Sequence, residues 1–332
     1  MEKLTAAQIF KATKPFFVVR ALVCTVITLI MLGAAILLGW LAIKFALDEN
    51  IAGLFIVIII MCGGFWGGLR FVERYILYML KAAHISAITE YIKTREVPVT
   101  EKGYKGVMAY GAEMVKKNFV TTNVAFAADV LIAGATKQIM KWVNKVGKLI
   151  TWIPGGDKIM AFIELVLSTA LNYIDEAVLS YIFYKKDEEG NAFKKACDGL
   201  VYYAQSWKSM LKGALKVGAF VWAVHAVSMI IFTAVAYGVI SAASGGNVGV
   251  AGLIIGLIIA FTLRYGIEHI IVDPYATCIM INDYYKAIDG KPLSRDLHGT
   301  LCKVSGKFKN LFKKSEQPEP EVPAETMASL GL

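Results

Sequence analysis

The sequence predicts an all-α fold: a polytopic helical membrane protein with about six transmembrane helices, two related hairpins and cytoplasmic amphipathic helices. Of its 332 residues, 57% are hydrophobic and only 18% are charged. Soluble domains carry roughly 25% charged residues, so this composition excludes an ordinary soluble enzyme. The apolar residues are gathered into runs long enough to cross a hydrocarbon core of about 30 Å.

The sequence contains none of the short motifs that mark soluble-enzyme chemistry. It has no phosphate-binding glycine loop, no serine nucleophile elbow and no zinc-protease motif. Its five cysteines are scattered and form no C-x-x-C pair, which excludes both a disulfide framework and a zinc-ribbon site. We therefore expect a protein that is not an enzyme, with no catalytic residues, no bound metal and no cofactor.

The first predicted hairpin covers residues 21–69. Residues 21–43 carry no charge, and residues 51–69 form a second uncharged run. The connection between the two runs is only seven residues long and holds a single lysine. Two runs of this length joined so closely indicate two antiparallel transmembrane helices.

The second predicted hairpin covers residues 217–263. Its first run, 217–240, is interrupted only by His225, a small-residue turn follows at 241–247, and 248–263 is again uncharged. A shift of 194 residues aligns the ends of the two hairpins with seven identities in thirty positions. This match predicts that the two hairpins are related repeats.

Two further membrane-embedded helices are predicted between the hairpins, at 119–136 and 159–184. The first contains one charged residue, Asp129, and the second contains only acids: Glu164, Asp175 and Glu176. Because a charge at the centre of a membrane helix costs roughly 2.5–3.5 kcal/mol, these acids should face protein or a wet cavity. The flanking segments 70–118 and 185–216 are basic and predicted to be amphipathic.

The two ends of the chain differ in character. Residues 1–20 are predicted to form an N-terminal amphipathic helix that ends at Pro15. Residues 315–332 are acidic and proline-rich, which is typical of a disordered tail. The helical membrane domain between them spans residues 21–314.

The distribution of lysine and arginine predicts the orientation in the membrane. Four such residues lie in 1–20, nine in 70–118, seven in 185–216 and eight in 284–314, against one and none in the two hairpin turns. The positive-inside rule then places both termini in the cytoplasm of a multi-pass integral membrane protein. The five lysines of 137–158 leave two possibilities open: an interfacial helix outside, or a middle pair that does not fully cross.

Acidic residues outnumber basic ones within the predicted spans and their extensions. Seven carboxylates face a single internal arginine, Arg264: they are Asp129, Glu164, Asp175, Glu176, Glu268, Asp273 and Asp283. Carboxylates with too few cationic partners bind a cation, relay protons or stay protonated. The alternative is that several of them, above all Asp175, Glu176 and Asp283, lie within a turn of the membrane interface and are solvated.

Glu268, His269 and Asp273 form the strongest group, because they occupy neighbouring positions on one helix face, as a proton relay or cation site requires. Pro274 should also break or kink this helix and free backbone carbonyls beside the acids.

Three histidines and two tryptophans extend this hypothesis. His84, His225 and His269 are candidate proton-relay residues, with ordinary packed histidines as the alternative for each. Trp66 and Trp222 are candidates for the aromatic face that binds a quaternary ammonium, although tryptophan also marks the membrane interface. The predicted cation pathway consists of these two tryptophans with Asp129, Glu164, Glu268 and Asp273.

The C-terminal half carries a pattern that resembles the choline transporter-like family. It consists of the aromatic helix end 181–185, the stretch 190–196, Val272-Asp273 with Cys278, the acidic pair Asn282-Asp283 and a Gly290-containing turn before a lysine-rich tail. The resemblance covers about residues 160–314. It implies transport of choline or a related organic cation without ATP, although that family has more spans and a long extracellular loop.

These observations predict a transporter that moves a small organic cation by alternating access, with proton coupling as an option. The predicted partners are the lipid bilayer and the cationic substrate, and nucleic acid is not expected. Two alternatives stay open. One is a cation-conducting channel formed by a homo-oligomer, and the other is a non-transporting scaffold whose basic amphipathic loops bind anionic lipid or a protein.

Overall fold

The computed structural model describes most of the chain outside its middle. The described residues are 4–60, 63, 77–97, 103–118, 134–135, 138, 173–243, 245–246 and 248–317. Within these ranges the protein is helical and has no strand, which confirms the predicted all-α class. Residues 61–62 and 64–69 of the first hairpin, most of the helix predicted at 119–136, residues 159–172 of the helix predicted at 159–184 and the tail from 318 lie outside the described residues.

Twelve α-helices and one π-helical segment are formed by the described residues. They are α1 (Ala6–Ala12), α2 (Lys14–Leu47), α3 (Ile51–Ile59), α4 (Tyr78–Thr94), α5 (Gly103–Asn118), α6 (Ile174–Tyr184), α7 (Ala192–Gln205), α8 (Trp207–Ala243), α9 (Val250–Ile267), the π segment (Glu268–Val272), α10 (Asp273–Ile288), α11 (Arg295–Val304) and α12 (Gly306–Ser315).

Three helical stretches in the described ranges are long and apolar enough to cross a membrane. They are Lys14–Phe45, Trp207–Ala242 and Gly252–Ile288. Large apolar side chains point outward along them; Ile30 is 67% exposed and Ile230 is 70% exposed. Such an apolar exterior would be unfavourable in water and suits lipid. Of the other three predicted spans, 51–69 is described over 51–60 and at 63, 119–136 at 134–135, and 159–184 over 173–184.

The N-terminal segment differs from the prediction at Pro15. Helix α1 begins with a capping box, in which Thr5 and Gln8 each accept a hydrogen bond from the other's backbone N–H, and it ends at Ala12. Helix α2 then begins at Lys14, so Pro15 lies in its first turn, where a missing N–H breaks no intrahelical hydrogen bond. Residue 20 is therefore not a helix boundary.

Both predicted hairpin turns are present. In the first, Glu49 adopts a left-handed conformation (φ 51°) and Asn50 caps α3 by accepting from the Gly53 N–H. In the second, Gly245 and Gly246 have φ values of 63° and 92°, which glycine adopts without strain. Helix α8 starts at Trp207, ten residues before the predicted boundary at 217.

The chain divides into two compact units. Unit 1 consists of Met1–Phe16, Ala82–Phe220 and Tyr275–Leu332, and unit 2 consists of Phe17–Lys81 and Val221–Pro274.

Helix α6, in unit 1, is the described end of the helix predicted at 159–184. Residues 176–183 of α6 are all buried, so this part faces protein rather than lipid.

Hydroxyl groups hold the core of unit 1 together. The Tyr284 hydroxyl donates to the Gly199 carbonyl at 2.9 Å. The Ser180 hydroxyl lies 2.9 Å from those of both Thr89 and Tyr285. Because each of these buried hydroxyls has a partner, the polar atoms incur little desolvation penalty.

Close helix contacts hold unit 2 together. A Cβ at Gly266 would lie 2.7 Å from Thr28 Cγ2, so α9 and α2 approach each other at this glycine. Nearer the start of α9, Cβ atoms at Gly252 and Gly256 would lie 3.1 and 3.2 Å from Ile240. Small residues allow membrane helices to pack this closely.

We predict that Gly266→Ala destabilises the protein by about 1–3 kcal/mol. The new methyl group would overlap the short side chain of Thr28, so the backbone of α2 or α9 would have to shift to make room for it. The control is Gly238→Ala in α8, where a Cβ would meet nothing within 4 Å. Since alanine is the better helix former, this control should be neutral or stabilising. Unfolding in mixed micelles measures both changes, and equal effects would contradict the close contact.

A second prediction concerns the C-terminal helices. The His298 ring stacks edge-on against Phe308 and Phe312, at centroid distances of 5.2 and 4.5 Å. Burial lowers the pKa of His298 below its usual 6.5, although Asp198 opposes the shift. The unfolded state therefore binds the proton more readily, and stability here falls as pH decreases through about 6.5.

Hydrogen exchange of the α12 amides, corrected for intrinsic rates, should accelerate between about pH 7.5 and pH 6. His298→Phe keeps an aromatic ring and should remove this dependence. Burial raises the pKa of Asp198. Protonation of Asp198 therefore stabilises the fold as pH decreases, which is opposite in sign to the effect of His298, and it takes place at lower pH. A wild-type profile that matches His298→Phe would show that His298 is not responsible.

Candidate functional site

Six ionisable side chains of unit 2 form one cluster of ion pairs and hydrogen bonds. Helix α2 contributes Arg20 and α8 contributes His225; the others are Arg264, Glu268, His269 and Asp273, from α9, the π segment and the start of α10. Two sub-clusters are present, one around each carboxylate.

The π segment positions both carboxylates. Between Glu268 and Val272 the hydrogen bonds follow the π pattern, and the Asp273 N–H donates to the Glu268 carbonyl. The sequence predicted a break or a kink at Pro274. The break does not occur, since the chain remains helical into α10, and the departure from α-helical hydrogen bonding is the π segment directly before Asp273. A π turn contains one residue more than an α turn, so it changes the direction of the side chains that follow.

The Asp273 carboxylate holds the more deeply buried sub-cluster. Its Oδ2 atom lies 3.2 Å from Arg20 Nη2 and 2.7 Å from His269 Nδ1. The Arg20 side chain is only 4% exposed. The His269 ring also stacks edge-on against Tyr265, at a centroid distance of 4.3 Å. Since an ionised carboxylate can only accept, His269 donates through Nδ1 and keeps Nε2 as the atom that can take up a proton.

The Glu268 carboxylate holds the second sub-cluster. Its Oε2 atom lies 3.5 Å from Arg264 Nη2 and 3.4 Å from His225 Nε2. Arg264 Nη2 also lies 3.0 Å from His225 Nδ1. A guanidinium can only donate, so Nδ1 must accept, and His225 carries its proton on Nε2, which faces Glu268. His225 is therefore held neutral, and protonating it would cost the bond from Arg264.

The buried position of Arg20 reduces the excess of acidic over basic residues that the sequence predicted around Glu268 and Asp273. The sequence suggested one internal arginine, Arg264, because Arg20 adjoins the uncharged run and was counted with the N-terminal basic segment. Helix α2 starts at Lys14, so Arg20 lies in its second turn, buried against Asp273. Among the described residues of the cluster, two arginines therefore accompany two carboxylates.

The remaining predicted residues have different positions. His84 belongs to unit 1, is fully buried, and its Nε2 lies 3.1 Å from the Thr13 hydroxyl. Trp222 lies on α8 about one turn before His225 and is 43% exposed. Asp129, Glu164 and Trp66 lie outside the described residues.

The other acids of the sequence hypothesis belong to unit 1. Glu176 is buried and accepts a hydrogen bond from the Thr277 hydroxyl. Asp283 lies against the α8 backbone at Gly213, where an added Cβ would approach its Oδ2 to 2.5 Å. Within the described part of the chain, no group of three His, Cys, Asp or Glu side chains could hold a metal ion.

Comparison with known proteins gives no functional assignment for this cluster. No protein-family model, no curated protein and no solved structure matches the chain. The resemblance to the choline transporter-like family therefore stays a prediction from the sequence. What the protein does is inferred below from its own residues and contacts.

We predict that Asp273→Asn destabilises the protein by about 3 kcal/mol, because it leaves the buried Arg20 charge without its carboxylate partner. Adding Arg20→Met should recover much of this loss, since an apolar side chain of similar length needs no counter-charge. The exposed pair of Lys93 and Asp187 supplies the control, and Asp187→Asn should cost less than about 1 kcal/mol.

A double-mutant cycle measured by unfolding in mixed micelles gives the coupling between Arg20 and Asp273. Strictly additive effects of the two substitutions would contradict a direct ion pair.

Proposed function

We propose that the protein is a multi-pass membrane transporter that exchanges protons for a small organic cation, with the Glu268–Asp273 cluster as its ion-handling centre. The observation that carries this proposal is the pairing of His269 with Asp273 beside the buried Arg20. Charged groups inside a membrane protein are costly, and they commonly mark ion or proton pathways.

His269 is the proposed proton acceptor. Its Nδ1–H is directed to Asp273 at 2.7 Å, which fixes the ring and makes Nε2 the basic atom. His225 is less suitable, because Arg264 occupies its Nδ1 atom at 3.0 Å. We assign His225 to orienting Glu268 and His269 to carrying the proton.

A proton on His269 and a bound organic cation would compete for stabilisation by the same two carboxylates, Glu268 and Asp273. This competition would couple proton movement to substrate movement. A proton on His269 adds positive charge next to Arg20 and Arg264, and a bound organic cation would add charge in the same place. At short distances in a medium of low dielectric these charges repel strongly. The two would therefore bind alternately, which is the requirement for exchange by alternating access.

Helix α2 provides a route from protonation to movement. Arg20 Nη2 and His269 Nδ1 contact the same Asp273 oxygen, Oδ2. A protonated His269 would compete with Arg20 for that oxygen and weaken the link between α2 and α10. Such a change in one shared contact would favour one of two packing arrangements over the other.

Trp222 is the proposed aromatic contact for the substrate. It lies one turn from His225 on the same helix, and 43% of its surface is exposed. The face of an indole binds quaternary ammonium groups with about 0.5–2 kcal/mol per contact. A choline-like substrate is the class that the sequence resemblance suggests, and Asp129, Glu164 and Trp66 remain proposed contributors to the same pathway.

The proposal includes the topology that the sequence predicts. We place about six spans across the bilayer, with both termini in the cytoplasm. The three long apolar stretches, Lys14–Phe45, Trp207–Ala242 and Gly252–Ile288, support a membrane location. The lysine and arginine counts support the orientation.

The test is flux into liposomes that contain the purified protein, with a pH gradient and radiolabelled choline or ethanolamine. We expect uptake that follows the gradient, and loss of this dependence in His269→Gln. The matched control is His298→Gln, the same substitution at a histidine of α11 in unit 1, which should retain coupled uptake.

Three results would contradict the proposal. An absence of both cation flux and proton movement would favour a non-transporting scaffold. Discrete single-channel currents would favour an oligomeric channel, since a carrier does not give conductance steps. Equal flux in His269→Gln and the wild type would exclude His269 as the proton carrier.

A further inference from the structure

The last two helices of the chain present a lysine-rich surface that the transport proposal does not use. This lysine surface consists of five exposed side chains: Lys303, Lys307, Lys309, Lys313 and Lys314. Helix α12 itself carries four lysines in ten residues and no acid, and the nearest acid along the chain is Glu316.

The apolar side of α12 packs against protein, with Phe312 half-buried. Phe308 and Leu311 have no exposed surface, and Leu301 of α11 is equally buried. Helix α12 packs against α7 and α11 within unit 1. A free amphipathic helix would insert such residues into a bilayer. Insertion of Phe308 and Leu311 into a bilayer would require α12 to separate from α7 and α11. While α12 stays packed, its charged face is the part available for binding.

Both ends of α12 are fixed, which gives the lysines a defined arrangement. At the start, the Ser305 hydroxyl accepts from the Phe308 N–H at 3.0 Å and donates to Gln138 Oε1 at 2.6 Å. At the end, the Asn191 amide donates to the carbonyls of Ser315 and Gln317, at 3.3 and 2.9 Å. Because the backbone of α12 is held in place, less conformational entropy is lost when several of its lysines bind at the same time.

We propose that this lysine surface binds the anionic headgroups of membrane lipids. Charge complementarity supports this occupant, because clustered lysines are attracted to an anionic bilayer within about a Debye length of its surface. The candidate spans favour lipid over a soluble acidic partner: a chain held in a bilayer meets headgroups at a high effective concentration. The inference is independent of transport.

The experiment uses the full chain in nanodiscs of phosphatidylcholine, with or without phosphatidylglycerol. An amine-reactive reagent modifies exposed lysines, and mass spectrometry measures the rate at each site. We expect Lys307 and Lys314 to react several-fold more slowly in the anionic discs. High salt should abolish the difference, since it screens charges at a surface.

Paired variants test whether the lysines act together. Lys309→Gln with Lys313→Gln should reduce the protection of Lys307 and Lys314. The matched control, Lys208→Gln with Lys212→Gln, removes the same charge from exposed positions in α8 and should leave that protection unchanged. All four positions are exposed, and hydrogen exchange of α7 and α12 verifies that both variants keep the native packing.

Three outcomes would overturn the proposal. Equal modification rates in the two kinds of disc would show that headgroup charge is not recognised. Protection that survives high salt would indicate shielding by protein instead of lipid. Protection that appears only after addition of polyglutamate or RNA would assign the surface to a soluble polyanion.

Discussion

The contact between Arg20 and Asp273 is the constraint on which the rest of unit 2 depends. An ion taken out of water loses several kcal/mol of solvation unless a partner of opposite charge lies beside it. Arg20 is nearly completely buried, and its Nη2 lies 3.2 Å from the Asp273 carboxylate. The position of α2 along and around its own axis is therefore limited to one that keeps Arg20 beside Asp273. The glycine at 266 permits the accompanying approach of α9 to Thr28.

The two units solve the problem of buried polarity in different ways. The core of unit 1 relies mainly on neutral groups: the hydroxyls of Thr89, Ser180, Tyr284 and Tyr285 bond to each other and to a backbone carbonyl. Its buried carboxylate, Glu176, accepts a hydrogen bond from the neutral Thr277 hydroxyl. Unit 2 uses charged groups, which form longer-range and more costly interactions. A neutral network stabilises one arrangement, whereas a charged network responds to an added proton. This contrast is why the functional proposal concerns unit 2.

Much of the helical framework could be predicted from the sequence, because the uncharged runs and small-residue turns are local signals. The turns near Asn50 and Gly245 are where the sequence indicated them. The charged cluster could be predicted only in part. Glu268, His269 and Asp273 were visible through their helical spacing. Arg20 was not, since it is more than 250 residues away and only tertiary packing brings it to Asp273.

The two prolines differ from the prediction for different physical reasons. Pro15 lies in the first turn of α2, where the missing N–H is tolerated. Pro274 lies within one continuous helix, directly after the π segment, and the predicted break does not occur there. The sequence grouped His84 with the other histidines because its surroundings are apolar, and in the structure its Nε2 has the Thr13 hydroxyl as a neighbour. An apolar sequence context does not distinguish a membrane interior from a protein core.

The π segment determines the direction in which Asp273 faces. Each residue advances an α-helix by about 100°, and the segment Glu268–Val272 holds one residue more than α-helical hydrogen bonding needs. Because the wider turn absorbs the extra residue, a homologous chain that lacks one residue here would have a regular α turn and would still direct the equivalent carboxylate to Arg20. A chain of equal length with α-helical hydrogen bonds throughout would instead turn that carboxylate by about 100°, away from Arg20.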